Sequence, residues 1–295
     1  MTTQTPNRRW AWALAMLALA GCGDREPPLA PEVQAVRVGA LPTGIDDPAW
    51  VSAPRYLAAL ILQDLVEPRL LEPSTEQVEV RALTDGAEVA FRLTWKDATL
   101  DDLPGASRFT DACAVQLPAA VAADVPAPQM GEDGRPVEIS YWRASWQAVV
   151  DGREDSIRSL YPGARIDHYP FDAASLEPGS PEQRDLAAQY APARALGNVM
   201  EGPRERPVQD LLAEGPGTLS PMAQQLSSGQ GRRDEQGWTV VIRRPLPRAW
   251  GSASRSQVAF AVWDGGRQEV GARKMRSVWI PLHLIEETAD EEDPS

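Results

Sequence analysis

Residues 78–95 read VEVRALTDGAEVAFRLTW, two runs of alternating apolar and polar residues joined by a short turn segment. Alternation with a period of two is typical of a β-strand that buries one face and exposes the other. The Asp-Gly pair between the runs favours a tight hairpin turn, because glycine readily adopts the positive φ that such turns require. The stretch therefore predicts two antiparallel strands that meet at Asp85 and Gly86.

Similar short runs recur on both sides of this hairpin. Further strands are predicted at residues 33–38, 112–117, 137–142, 238–243, 257–263 and 276–284. The chain of 295 residues contains 27 prolines and 22 glycines, which suits many turns better than a helical bundle. Short strands in this number, with turn residues between them, predict an all-β fold in the form of a β-sandwich.

The middle of the chain has a different composition. Residues 151–236 are rich in proline, glycine, alanine, arginine and glutamate, and only short segments such as residues 181–190 have a helical pattern. A long, weakly structured segment within a compact domain is usually either functional or disordered. We therefore predict one sandwich domain over residues 33–285 that carries a long, partly helical and irregular insertion.

The N-terminus has the pattern of a targeting segment. Two arginines precede an apolar run at residues 10–20, which is too short to span a bilayer. The run ends in Leu-Ala-Gly-Cys22, which resembles the lipobox of bacterial lipoproteins. This resemblance implies a lipoprotein signal peptide over residues 1–21, a lipid on Cys22, and a proline-rich tether over residues 22–32. The protein is then exported and anchored on the periplasmic side of a membrane; the alternative is a plain secretory signal with a chance cysteine.

The charge pattern excludes one class of partner. The formal net charge is −13 at pH 7, whereas nucleic acid requires a basic surface to contact its phosphates. Part of the acidic excess lies in residues 286–295, which we expect to form a solvated, disordered tail. Acidic groups elsewhere could attract a basic redox partner or only confer solubility.

The small numbers of cysteine and histidine exclude several kinds of site. With Cys22 lipidated, Cys113 has no disulfide partner, and the alternation around it predicts a buried, inert thiol. Covalent c-type haem needs a Cys-x-x-Cys-His motif, and zinc or iron–sulfur sites need more ligands than are present. No Gly-x-Ser-x-Gly or phosphate-binding glycine motif accompanies a strand. His168 and His283 are expected to make ordinary hydrogen bonds.

Lysine is rare in this chain. Of the 29 basic residues only Lys96 and Lys274 are lysines. An amine can lose its proton, which a guanidinium cannot do, so a retained lysine can indicate a functional role. Lys96 lies at the end of a predicted strand and is expected to be a solvated charge. For Lys274 the residue pattern leaves two possibilities open, an exposed hairpin charge or a functional amine.

Five segments, taken in order, carry a resemblance to a known family. They are FTDACAVQLP at residues 109–118, QMG and PVEI at residues 129–139 followed by Trp142, ALGN at residues 195–198, LAEGPGT at residues 212–218, and VAFAVWDGG at residues 258–266 followed by Lys274 and Trp279. Together they span roughly residues 46–284. They resemble the haem-binding family of the ethylbenzene dehydrogenase type. This family supplies the gamma subunits of ethylbenzene and dimethyl sulfide dehydrogenases and of selenate and chlorate reductases.

The resemblance implies a β-sandwich that binds one b-type haem non-covalently. By position, Met130 and Lys274 would be the axial ligands of the iron, and Met200 or Met222 would replace Met130 if that position is misassigned. His168 would be the next candidate in place of Lys274. Two axial ligands leave no open position, so the subunit would transfer electrons without catalysis. Its partners would be the alpha subunit and the iron–sulfur beta subunit of a molybdoenzyme, or a soluble cytochrome.

Two alternatives are open at this point. The first is a lipid-anchored sandwich that binds carbohydrate or another small ligand without redox activity, since many functions share this fold. The second is a family member that has lost its haem. Aromatic side chains exposed on one sheet face would favour carbohydrate, whereas a methionine and a lysine that converge on an apolar slot would favour haem.

Overall fold

The computed structural model of the protein describes residues 28–164, 180–182, 184–185 and 204–285. The strands are β1 (Val33–Arg37), β2 (Tyr56–Ala59), β3 (Ile61–Leu62), β4 (Gln77–Thr84), β5 (Glu88–Lys96), β6 (Ala112–Pro118), β7 (Val137–Arg143), β8 (Val208–Ala213), β9 (Ser220–Pro221), β10 (Ser228–Arg233), β11 (Gly237–Pro245), β12 (Arg255–Trp263), β13 (Met275–Arg276) and β14 (Ile280–Ile285). The α-helices are α1 (Ala144–Val150) and α2 (Ile157–Leu160), and short 3-10 turns lie at Pro48–Val51 and Gly265–Arg267. Within these ranges, no helix has the length and apolar character needed to cross a membrane.

The strands form one continuous, folded sheet. Its hydrogen-bonded order is β10-β11-β5-β4-β1-β14-β12-β6-β7-β8-β9, with β2 paired to β4 and β13 paired to both β12 and β3. β1 runs parallel to β14 and to β4. β12 pairs with β14 over residues 255–258 and with β6 over residues 259–263. Because β12 changes partner halfway along its length, the sheet folds over at this strand into two layers.

The two layers face each other across one core. Phe91 of β5 packs edge-on against Phe260 of β12, with ring centroids 6.0 Å apart. Trp142 of β7 meets Trp238 of β11 in the same manner at 5.0 Å. β5 and β11 lie on one side of the fold at β12, and β7 lies on the other. These contacts between the layers confirm the predicted all-β sandwich.

Trp142 also explains why a glycine-rich segment forms β10. At Gly231 a Cβ atom would come within 2.1 Å of the Trp142 ring, so only glycine lets the strand lie against the indole. The Trp142 indole nitrogen donates to Gln147 Oε1 at 3.1 Å, and the Gly231 amide donates to the same oxygen at 2.8 Å. Because Gln147 lies on α1, this helix satisfies two buried donors at the edge of the core.

The eight strands predicted from alternation are all present, with small shifts at their ends. The last of them is divided, because residues 276–284 contain the end of β13 and most of β14. The stretch at residues 151–236 is not irregular throughout, since β8, β9 and β10 lie within it. Between α1 and β8 the structure describes α2, and much of the rest of that stretch lies outside the described residues. Residues 1–21, Cys22 and the tail at residues 286–295 lie outside the described ranges.

Candidate functional site

The outer face of β6, β7, β8 and β12 forms the floor of a cavity. Alternate residues of these strands point to this face, and the strand register places them in two rows across the layer. The first row is Ala261, Ala114, Tyr141 and Gln209, and the second is Ala259, Gln116, Ile139 and Leu211. The alanines keep the part of the floor over β6 and β12 flat, because a methyl group projects only a short way above a sheet.

Loops enclose the space above this floor. The cavity has a volume of about 810 Å³, and its walls include Val66, Met130, Pro216 and Lys274. This volume falls within the range of roughly 300–1,000 Å³ that is usual for small-molecule and cofactor sites. Met130 and Lys274, which are far apart in the sequence, therefore line the same cavity.

Met130 has an uncommon backbone conformation. Its φ is 70°, in the left-handed region that residues other than glycine rarely adopt. A Cβ atom on the next residue, Gly131, would lie 2.9 Å from the carbonyl oxygens of both Ala213 and Arg135. The Gly215 amide donates to the Met130 carbonyl at 2.8 Å. Such conformations persist where surrounding contacts impose them, and they are concentrated at ligand sites.

The segment before Met130 is tied to the rest of the domain. The Gln116 side-chain amide, on the cavity floor, donates to the Pro128 carbonyl at 3.1 Å. The Trp279 indole nitrogen donates to the Pro126 carbonyl at 2.6 Å. These two bonds tie the main chain just before Met130 to β6 and to the segment that precedes β14.

Lys274 lies directly before β13. Its carbonyl accepts from the Gln63 amide at 3.0 Å. Its Nζ lies 4.9 Å from the centroid of a Trp263 ring, whose indole nitrogen donates to the Gly271 carbonyl at 3.0 Å. Burial, assisted by the positive charge of Arg276, lowers the pKa of Lys274 to about 8. An exposed lysine has a pKa of about 10.4, so this amine loses its proton far more readily.

Two polar side chains in the cavity have unpaired donors. Gln209 Nε2 and Arg276 Nε are buried and have no hydrogen-bond partner, and both residues line the cavity. A buried unpaired donor is costly, and an anionic acceptor such as a carboxylate would satisfy it. Sequence reasoning missed both residues. Arg276 could have been found, because it lies two residues after Lys274 in an extended segment and so shares its face.

The other methionines differ from Met130 in their positions. Met275 is 1% exposed and packs in the core, on the opposite face of the strand from Lys274. Met222 is half-buried and is not among the residues that line the cavity. Met200 and His168, the reserve candidates in the insertion, lie outside the described residues.

The remaining predicted residues have ordinary structural positions. His283 lies at the surface on β14, with its Nδ1 3.4 Å from a Glu32 carboxylate oxygen. Lys96 is exposed at the end of β5, as predicted. Cys113 is fully buried on β6, and burial raises the pKa of its thiol well above the ordinary value. The predicted burial of the thiol is confirmed.

Comparisons with known proteins add a relative and two solved structures. A protein of Haloferax mediterranei that is named as a respiratory nitrate reductase haem subunit is 25% identical over 238 residues. The match covers 78% of this chain and 64% of the relative, so the chain spans less than two thirds of the relative's length.

The solved structures are of a family 9 carbohydrate binding module from Caldicellulosiruptor kristjanssonii. The module in complex with cellotriose has a TM-score of 0.43 and 8% identity, and the match covers 89% of this chain and 98% of the module. The same module in complex with glucose has a TM-score of 0.37 and 8% identity, with 89% of this chain and 99% of the module covered. Scores of this size support no conclusion about the ligand.

A family model gives the more extensive match. The model described as ethylbenzene dehydrogenase matches residues 47–275, which is well over half of the chain. The matched range contains the four strands of the cavity floor and both Met130 and Lys274. The chain belongs to the ethylbenzene dehydrogenase family.

Proposed function

We propose that this chain binds one haem b non-covalently in the cavity above β6, β7, β8 and β12, with Met130 and Lys274 as the axial ligands of the iron. It acts as a non-catalytic electron-transfer subunit of a molybdoenzyme complex. The observation that carries the proposal is the convergence of these two side chains on one cavity. Membership of the family and the name of the Haloferax relative support haem as the ligand.

The lining of the cavity suits a flat apolar group. Ala114, Ala259 and Ala261 leave a level surface. The indole ring of Trp263 and the branched side chain of Leu211 extend this apolar surface. Predominantly apolar walls with a few polar groups are typical of cofactor pockets. The unpaired donors of Gln209 and Arg276 are the groups that we assign to the haem carboxylates, because charge-assisted hydrogen bonds to carboxylate would satisfy both.

The two proposed ligands have suitable chemistry. Lys274 can bind a metal only as the neutral amine, and the burial that lowers its pKa to about 8 favours that form. Haem supplies a one-electron redox centre at its iron, and a methionine ligand favours the reduced state. Because Met130 and Lys274 would take both axial positions, no position is left for O₂ or substrate. The subunit therefore transfers electrons and performs no catalysis.

The proposal extends to partners and location. The name of the relative supports a reductase complex as the partner. The electron partners in this proposal are the alpha subunit and the iron–sulfur beta subunit of a molybdoenzyme, or a soluble cytochrome. Cys22 would carry the lipid that holds the exported protein on the periplasmic side of a membrane. Incorporation of radiolabelled palmitate, compared between the wild type and Cys22→Ser, tests this anchor separately from the haem.

The carbohydrate-binding alternative calls for a different surface. A platform of exposed aromatic side chains on one sheet face would be expected for it. Among the residues that the structure describes, Tyr161 is the only exposed aromatic residue, with 39% of its surface accessible to solvent. It lies after α2 and outside the sheet. The observations therefore favour the haem proposal.

The absorption spectrum of the purified protein tests the proposal. We expect a Soret band and a b-type pyridine haemochrome spectrum, and a protein that stays colourless when haem is supplied would reject haem binding. Met130→Ala should open one axial position, shift the Soret band and allow the ferrous form to bind CO. Met222→Ala is the matched control and should keep the wild-type spectrum. A wild-type spectrum in Met130→Ala would move the assignment to Met200 or Met222.

A further inference from the structure

Three aspartates from separate parts of the chain meet at one end of the sandwich. Asp97 directly follows β5, Asp111 directly precedes β6, and Asp264 directly follows β12. One carboxylate oxygen from each lies within 4.8 Å of the oxygens from the other two. β5 belongs to one layer, whereas β6 and the second half of β12 belong to the other. The cluster therefore joins the two layers.

Asp97 has one oxygen without a partner. The residue is 5% exposed, and its Oδ1 accepts from the Thr99 amide at 3.0 Å. Its Oδ2 is buried and has no hydrogen-bond partner. Leaving a carboxylate oxygen both buried and unpaired is costly. Asp97 belongs to the cluster, so its unpaired oxygen indicates that the cluster binds a partner which the protein itself does not supply.

Asp111 is held firmly in place by donors. It accepts from the amides of Asp101 and Gly265, each at 2.9 Å, and from the Trp238 indole nitrogen at 3.0 Å. Hydrogen bonds of this kind orient a carboxylate and are typical of the groups that surround metal ligands. They fix one member of the cluster rigidly relative to both layers.

Nearby cations only partly offset the negative charge of the cluster. Arg233 donates to the main-chain carbonyl of Asp97 at 3.0 Å, and the Arg267 amide donates to Asp264 Oδ1 at 3.1 Å. Burial, with repulsion from neighbouring carboxylates, raises the pKa of Asp97 to about 6 and that of Asp111 to about 7. Three carboxylates at this separation repel one another, and a cation between them would relieve that repulsion.

We propose that Asp97, Asp111 and Asp264 bind a divalent cation of the calcium type. Calcium takes about six to eight oxygen ligands at roughly 2.3–2.6 Å. Oxygens that lie within 4.8 Å of one another can surround a common centre at these distances.

A surface cavity adjoins the cluster, and water from it would supply the other ligands. A polar surface cavity of about 480 Å³ is lined by Asp101, Gly265 and Gly266, among others. A Cβ atom on Gly266 would lie 3.3 Å from Asp264 Oδ1 and 3.2 Å from Asp101 Oδ2, so the cavity wall adjoins the cluster. An entry path and positions for water are what a calcium site with three protein carboxylates requires.

The cation would strengthen the loop that leads to the large cavity. This loop begins at Asp264, whose amide donates to Glu269 Oε2 at 3.0 Å, and it ends at Lys274. A cation at its base would tie the loop to Asp97 and Asp111, and so to both layers. This stabilisation requires no haem, so the calcium site stands or falls independently of the proposed function.

Terbium luminescence tests the site in the full chain. Terbium replaces calcium in oxygen sites and emits when a nearby tryptophan is excited, and the Trp238 indole directly contacts Asp111. We expect saturable, tryptophan-excited emission that excess calcium displaces. Asp97→Asn should weaken terbium binding about tenfold or more, because it removes one charged ligand. Asp124→Asn, at an exposed acid outside the cluster, is the matched control and should bind like the wild type.

Thermal unfolding provides the second measurement. Calcium at about 100 times its Kd should raise the folded-to-unfolded ratio about 100-fold relative to chelator. Calcium should raise the melting temperature of the wild type and of Asp124→Asn, but not that of Asp264→Asn. Asp264 is half-buried, so Asp264→Asn is the variant to use if Asp97→Asn does not fold. Equal melting temperatures in calcium and chelator, without sensitised emission, would overturn the proposal. Metal binding that is unchanged in both cluster variants would overturn it as well.

Discussion

The two faces of the layer formed by β6, β7, β8 and β12 come from alternate residues of the same strands, yet they differ in kind. The inner face carries Val115, Trp142 and Phe260, all at most 2% exposed, and packs against the other layer. The outer face carries the small residues Ala114 and Ala261, which leave the large cavity open above them. The difference teaches that alternation lets one set of strands form the core on one side and the floor of a cavity on the other.

The strongest test of the inner face is Trp142→Ala. The ring packs on Trp238 and against β10, and its indole nitrogen donates to Gln147, so the variant leaves a cavity and removes a buried hydrogen bond. We expect a loss of about 3–5 kcal/mol in the free energy of unfolding, measured by urea denaturation. Tyr161→Ala, at a partly exposed ring, should lose less than about 1 kcal/mol. A small loss for Trp142→Ala would contradict the assignment of the inner face as the main core.

On the ligand side, Lys274→Arg should have the largest effect. A guanidinium keeps the positive charge but cannot deprotonate, so it cannot replace the amine as a ligand. We expect the low-spin ferric spectrum to disappear and haem affinity to fall about 100-fold, or about 2.7 kcal/mol. Lys96→Arg is the matched control and should leave the spectrum unchanged. A low-spin spectrum that survives in Lys274→Arg would exclude Lys274 as the ligand, and His168 would be tested next.

Substitutions at two adjacent residues of β6 compare the cavity face and the core face of this layer most directly. Ala114→Leu adds bulk to the cavity floor, so we expect haem affinity to fall about tenfold, or about 1.4 kcal/mol, with little change in stability. Val115→Leu adds bulk to the packed core, so the apoprotein should lose about 1–3 kcal/mol of stability while the haem spectrum is kept. Haem titration and urea denaturation of both variants provide the measurements. The same response in both variants would remove the distinction between the faces.

The smallest expected effect is the pH dependence of ligation above pH 8. The pKa of Lys274 is lowered to about 8, so the amine is mostly neutral above this pH and mostly protonated below it. Haem affinity should therefore fall less than about twofold from pH 9 to pH 8, about fivefold from pH 8 to pH 7, and about tenfold for each unit below that. The ferric spectrum should change from low spin towards high spin as the pH falls, and Lys274→Arg should lack this transition. An affinity that rises on acidification would contradict the assignment.

The sequence predicted the fold where local pattern and tertiary packing agree. β4 and β5 alternate over much of their length, and the Asp-Gly turn between them fixes their pairing, so both were found. β10 was missed because Gly229 and Gly231 carry no apolar side chain. Position 231 requires glycine because the strand lies against the Trp142 ring. Trp142 is almost ninety positions away in the sequence, so a local sequence pattern does not reveal this contact.

The candidate site was predicted less completely than the fold. Met130 and Lys274 came from the family resemblance, and the structure brings both to one cavity. The flat alanine floor and the unpaired donor of Gln209 depend on which strands lie side by side, which the sequence does not state. The three clustered aspartates likewise read as ordinary turn residues until the fold brings them together.

The division of β12 between two partners has a consequence for the order of assembly. Its first half pairs with β14, which itself pairs with β1, and its second half contributes to both rows of the cavity floor. The floor is therefore incomplete until β12 has paired with β6, a strand that lies far earlier in the chain. A nascent or unfolded polypeptide has no pocket to receive the cofactor, so loading would be the last step of maturation. The appearance of colour would then report a finished fold and could be used to time its completion.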